Sequence, residues 1–158
     1  MMPMTRYDLA FLGNYTKDTI VSAAGTRQVD GGAFNYGAQA AARIGLHVAA
    51  ITRLAAEDLQ VVQTLTALGI DVFAEATPSS TCLRLEYPSA NPDERTIYVA
   101  SSAGSFTPDQ VADVQAGVFV LGPSFRGEVG LDVIAALAGK GARAVETMAT
   151  LNRGPSEV

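Results

Sequence analysis

Three times along this chain a helical stretch ends on a glycine and an apolar run begins within two residues. Residues 33–45 end at Gly45 and lead to HVAAITRL at 47–54. Residues 55–69, with Leu59, Val62, Leu65 and Leu68 at helical spacing, end at Gly69 and lead to IDVFAE at 70–75. Residues 127–141 end at Gly141 and lead to ARAVETM from 142. A glycine just past a helix takes up the left-handed conformation that stops it. Helices and strands that alternate through short loops build a largely parallel sheet covered by helices. YDLAFLG at 7–13 and GVFVLGP at 117–123 read as further buried strands of that sheet. A short helix is expected from Thr107-Pro108-Asp109 to about Gln115.

Two stretches break the alternation. TIVSA (19–23) and TRQVD (26–30) flank Ala24-Gly25, and TCLRLEY (81–87) and ERTIYVA (94–100) alternate around the turn-rich PSANPD (88–93). Each pair predicts an antiparallel hairpin. The hairpins would form a small unit apart from the parallel layer.

The chain of 158 residues is 48% hydrophobic, enough for one domain with a core. Its net charge of −5, with no run of Lys or Arg, argues against nucleic acid or an anionic membrane as partner. No window approaches the roughly 18 consecutive apolar residues of a membrane span. Cys82 is the single cysteine, so no internal disulfide exists, and a cytoplasmic setting is expected. His47 is the single histidine, which excludes a His-rich metal site, and a strand-end surface position is its plain reading. Gly139-Lys140 lacks the upstream glycine of a phosphate-binding loop.

Two places carry candidate chemistry. Gly31 and Gly32 stand directly before a helix, where free N–H groups point outward and the absence of Cβ lets a ligand approach the backbone. The same pair could serve only as a turn. In GNYTKD (13–18), Asp18 follows the carboxyl end of the first strand, where open α/β sheets bind ligands. Its carboxylate can accept two hydroxyl hydrogen bonds, or it can cap a turn.

Taken together, LGNYTKD (12–18), GGAFNYGAQAAARIG (31–45), the TCLRLEY…ERTIYVA hairpin and VFVLGP (118–123) resemble the amino-terminal half of the ribokinase-like (PfkB) carbohydrate kinases. The resemblance implies a doubly wound, mostly parallel α/β sheet with helices on both faces and a small β lid from strands near 19–30 and 81–100. It implies transfer of phosphate from ATP, with Mg2+, to a hydroxyl of a small sugar or nucleoside. Asp18 falls at the family's substrate-binding aspartate, and Gly31 and Gly32 at the glycines that contact the sugar. The family's usual asparagine falls at Tyr36, with Asn35 one place earlier, so either could face the substrate. The family's later glycine is here Ala55, and an acid that some members carry after the later strand is here Gly122-Pro123.

The family's second, glycine-rich signature, with its anion hole and catalytic base, has no match. The expectation is therefore a truncated chain. Residues 1–146 would be the substrate-binding half and 147–158 a tail without resemblance, with little activity alone and no catalytic residue of its own. A homodimer through the lid is left open. A non-catalytic sugar- or nucleotide-binding module and an inert fragment are the alternatives.

Overall fold

A computed structural model describes residues 6–146. Five strands form one sheet: β1 (Arg6–Leu12), β4 (Val48–Ala55), β5 (Asp71–Thr77), β8 (Gln115–Leu121) and β9 (Arg143–Glu146). All its pairings are parallel, in the order β5-β4-β1-β8-β9. The chain leaves β1 toward one edge and returns to build the other, so the strand order reverses at β1. That reversal opens a crevice at the strands' carboxyl ends.

Helices cover both faces. On one face α1 (Ala33–Arg43) and α2 (Gln60–Thr66) enclose Phe34, Ala38, Ala41, Val61 and Leu65 against Phe11 and Leu54. On the other, α3 (Asp109–Ala112) and α4 (Leu131–Gly139) bring Val111, Val133 and Leu137 onto Leu12, Ile51 and Phe119. Burial from two sides is why β1, β4 and β8 read as continuous apolar runs rather than alternating ones. Gly37 sits within α1 because a Cβ there would overlap the Phe11 ring.

The three helix-ending glycines share one geometry. Gly45, Gly69 and Gly141 have φ of +89°, +77° and +66°. In each case the glycine N–H donates three residues back, to Ala42, Thr66 and Ala138. The next N–H donates five residues back, from Leu46 to Ala41, Ile70 to Leu65 and Ala142 to Leu137. This paired bonding satisfies carbonyls that the helix end leaves open and turns the chain into the following strand.

The two hairpins form, and together they make one unit apart from the parallel sheet, as expected. β2 (Thr16–Ser22) and β3 (Gly25–Gly31) are antiparallel, as are β6 (Thr81–Glu86) and β7 (Thr96–Ser101). Parallel pairing of β2 with β6 joins them into one four-stranded sheet, β3-β2-β6-β7. This sheet is the lid.

Three expected helices are shorter than their patterns. Residues 55–69 divide into a 3₁₀ turn at Ala56–Asp58 and then α2. Asp58 is drawn out of the helix by Ser80 and Lys17, and Leu59 is left exposed. The helix expected to reach about Gln115 ends at Ala112, because Gln115 opens β8. The helix expected from 127 begins at Leu131. Strand β9 is described to Glu146, and the expected tail 147–158 lies outside the described residues. Among the described residues, no helix is long and apolar enough to cross a membrane.

Candidate functional site

The segment Gly13–Asp18 carries the chain from the core sheet into the lid. Gly13 lies against the loop that follows β8, since a Cβ on it would come within 2.7 Å of the Gly122 carbonyl oxygen. The Gly122 N–H donates to the Leu12 carbonyl at 2.8 Å. The lid strand β2 therefore starts at the crevice where the parallel sheet reverses.

Residues two apart on a strand share a face. Thr16 and Asp18 thus lie side by side, and Gly31 pairs with Thr16 across the β2–β3 ladder. A Cβ on Gly31 would overlap the Asp18 carboxylate and lie 2.5 Å from the Thr16 hydroxyl. The space freed at Gly31 is filled by Asp18 and Thr16 themselves. Gly32 has φ of +100°, and a Cβ on it would lie 2.6 Å from the Asn14 carbonyl oxygen. Gly32 lets its crossing pack against the backbone of Asn14 in the neighbouring crossing, just before α1.

Burial pushes the Asp18 carboxyl above the usual carboxylate range, and the Thr16 hydroxyl bond opposes this only in part. The Asp18 Oδ1 atom is buried with no protein donor, as is Asn14 Oδ1. A buried acceptor without a donor is unfavourable by about 1–3 kcal/mol, which a bound donor group relieves.

The Asn14 amide is held in one orientation. Its Nδ2 donates to the Gly104 carbonyl and to Glu128 Oε1, both at 3.0 Å. Both partners are acceptors only, so the nitrogen must face them. Glu128 is fully buried, and burial raises its carboxyl despite bonds from Asn14, Ser124 N–H, Phe125 N–H and Thr81. Where the sequence has Gly122-Pro123 in place of an acid, the nearest buried acid is Glu128, six positions beyond Gly122.

Asn35 and Tyr36 diverge. Asn35 is buried, and its Oδ1 accepts from Gln39 one turn on at 2.8 Å. Tyr36 is 56% exposed, and its hydroxyl donates to the Asp30 carbonyl at 2.9 Å at the end of β3. The structure thus brings Asp18 and Gly31 together, sets Gly32 against Asn14, and leaves Tyr36 exposed over Asp30. Asn35 is turned into the helix packing.

The opposite face of β2 carries different chemistry. Lys17 pairs with the buried Asp58 at 2.6 Å, and the Ser80 hydroxyl donates to the same carboxylate at 2.6 Å. Burial pushes the Asp58 carboxyl up, but the Lys17 and Ser80 bonds outweigh it, so the group lies below its ordinary range. The Tyr15 hydroxyl donates to Asp30 Oδ1 at 2.5 Å, and burial with this bond raises the phenol. His47 is exposed at the far end of the sheet, beside Tyr7 and Asp8.

Thr16, Asn14 and Glu128 escaped the sequence reading. Period-two spacing from Asp18 would have marked Thr16. The residue types alone give no signal for the other two.

Solved structures match this arrangement. A pyrophosphate-dependent kinase of the ribokinase family, in a sulfate complex, superposes with a TM-score of 0.79 at 25% identity over 87% of this chain. The chain is ribokinase-like in fold. It spans about half the length of the kinases it matches, 49% of that one. The ribokinase-family enzyme complexed with a pyrophosphate analog and myo-inositol matches at TM-score 0.77 and 24% identity, over 87% of this chain and 48% of its own. Arabidopsis thaliana ribokinase, complexed with ribose and ATP, matches at 0.66 and 16%, over 93% of this chain and 55% of its own. No family model and no curated protein matches the sequence.

Proposed function

We propose that this ribokinase-like chain is the substrate-binding half of a sugar or nucleoside kinase that transfers phosphate from ATP to a substrate hydroxyl. The observation that carries the reading is the packing of the Asp18 carboxylate and Thr16 hydroxyl into the space a Cβ on Gly31 would take. Asp18 Oδ1 is a buried acceptor with no protein donor, and a hydroxyl is a donor of the right size. Gly32 supplies backbone at the helix start, and Tyr36 forms the rim. Asn35 holds the first turn of α1 through Gln39. Support for a polyol comes from the matched kinases, which bind myo-inositol and ribose.

The residues present do not fit the phosphate donor. Among the described residues there is no group of three or more His, Cys, Asp or Glu that could hold a metal ion. The sequence offers no glycine-rich phosphate loop either. ATP with its Mg2+, and the base for the attacking hydroxyl, belong to the carboxyl half of the family fold. Cytoplasmic placement and a homodimer through the lid go with this reading.

Calorimetric titration of the full chain with a panel of myo-inositol, ribose, other sugars and nucleosides tests it. Binding to a panel member, weakened at least about tenfold by Asp18→Ala, is the expected result. Nucleotide binding alone would favour a different α/β module. Binding to nothing would favour an inert fragment. A coupled turnover assay with ATP or pyrophosphate is expected to show little activity from this chain, and robust turnover would contradict the division of labour.

A further inference from the structure

Four stretches of chain pass between the core sheet and the lid: 13–15, 31–33, 78–80 and 102–108. The fully buried Glu128 bonds two of them, the first and the last. Its carboxylate accepts from the Asn14 side chain at 3.0 Å, in the first crossing. The Thr81 hydroxyl, at the first residue of lid strand β6, also favours the charged form of this carboxyl. The same Thr81 hydroxyl accepts from the Ala103 N–H at 3.1 Å, in the crossing that leaves β7. The Glu128 carbonyl accepts from the Phe106 N–H at 2.8 Å in that segment too. The Ser124 and Phe125 N–H groups complete the shell from the loop after β8.

These partners converge on one lid residue. Asn14 lies two positions before Thr16 in the chain. Thr81 is the ladder partner of Thr16 across β2–β6. Thr16 in turn packs beside the Asp18 carboxylate in the space over Gly31, and its hydroxyl favours the charged form of that carboxyl. We propose that Glu128 is a positioning residue, whose carboxylate clamps the lid to the core on both sides of Thr16 and thereby holds Asp18 in place for a ligand hydroxyl. The proposal rests on the reading of Asp18 as the hydroxyl-binding group.

The donors in the shell, Asn14, Thr81, Ser124 and Phe125, are all neutral. The carboxylate is held by hydrogen bonds, and a buried carboxylate with four donors fixes their relative positions more firmly than neutral acceptors would. Among the described residues of the four lid strands, Leu83 is the one buried hydrophobic side chain. Loss of the clamp should therefore free the lid before it frees the core.

Amide hydrogen exchange and polyol calorimetry on the full chain test this with two variants. Glu128→Gln keeps the shape but turns an amide NH2 toward donors. Thr81→Val keeps the volume and removes the hydroxyl that serves Glu128 and accepts from the Ala103 N–H. Both are expected to speed exchange of β2 and β6 amides about tenfold, with β1 and β8 changing less than about twofold. Both should weaken polyol binding about tenfold, and Thr81→Ser, which restores the hydroxyl, should recover both readouts. Equal acceleration in both sheets would mark Glu128 as a general stabiliser and overturn the proposal. So would unchanged exchange, or a lid effect in Glu128→Gln that Thr81→Val lacks. If Glu128→Gln does not fold, Thr81→Val carries the test. If the wild-type chain binds no polyol, the reading of the site fails, while the exchange result still decides the clamp.

Discussion

The two sheets of this molecule are held by different forces. Strands β1, β4 and β8 bury apolar side chains from both faces, from Ala10 and Leu12 to Ile51 and Phe119. The four lid strands bury Leu83 alone among the hydrophobic residues described. The lid depends on its backbone ladders and on polar contacts, two groups of which centre on buried carboxylates. One is Glu128 with Asn14 and Thr81, and the other is Asp58 with Lys17 and Ser80. Apolar burial is non-directional and strong, whereas hydrogen bonds are directional and modest in net effect. A ligand-binding element that must be placed accurately, yet remain able to move, suits the second kind of attachment.

The largest effect should come from the core. Phe119→Ala empties a site that is 1% exposed and is expected to lower global stability by about 3–5 kcal/mol in urea unfolding. Leu83→Ala should cost about 2 kcal/mol, seen mainly as faster exchange in the lid. A lid variant that melts both sheets together would erase the contrast. Gly31→Ala comes next, because the new methyl group meets Asp18 and Thr16. It should destabilise the protein by about 1–3 kcal/mol and weaken polyol binding at least about tenfold by calorimetry.

A finer test uses the two faces of β2. Asp18 lies above the ordinary carboxylate range, so the folded state holds its proton where the unfolded state has lost it. Its contribution is fully present below the ordinary value near pH 4 and declines as pH rises through the folded value. Asp58 lies below that range, so its contribution is present above about pH 4 and is lost as pH falls through its folded value. In pH-dependent unfolding, Asp18→Asn should remove part of the decline on the upper side and Asp58→Asn part of the loss on the acid side. Slopes of the same sign would contradict the assignment. The smallest effect is expected at Arg84, whose pair with Glu86 at 2.7 Å is exposed. Arg84→Ala should change stability by less than about 0.5 kcal/mol in the same unfolding experiment.

What was legible in the sequence was local. Gly45, Gly69 and Gly141 announce helix ends because their left-handed backbone is a property of one residue and its neighbours. The two hairpins were legible for the same reason. Their union in one lid followed from the family resemblance, but which strands join them, β2 with β6 in parallel, did not, since alternation looks alike whichever strand lies beside it. The helix over 55–69 was overestimated because Asp58 bonds residues far along the chain, which outweighs local propensity. At the candidate site, Asp18 and Gly31 were singled out from residue type and position, and the structure brings those two into contact. Glu128 was not, because it stands between Gly127 and Gly130, where a charge would normally be solvated. Its burial follows from the loop after β8 folding back on Asn14.

The central claim is that the Asp18 face of the lid, at the reversal point of the parallel sheet, receives a polyol. Nuclear magnetic resonance tests it most directly, through backbone amide shifts of the full chain titrated with myo-inositol and with ribose. Saturable shifts are expected, concentrated at Asn14–Asp18 and Gly31–Gly32 and absent in Asp18→Asn. Shifts centred at the opposite end of the sheet, near Arg6 and Lys140, or shifts that persist in Asp18→Asn, would contradict it.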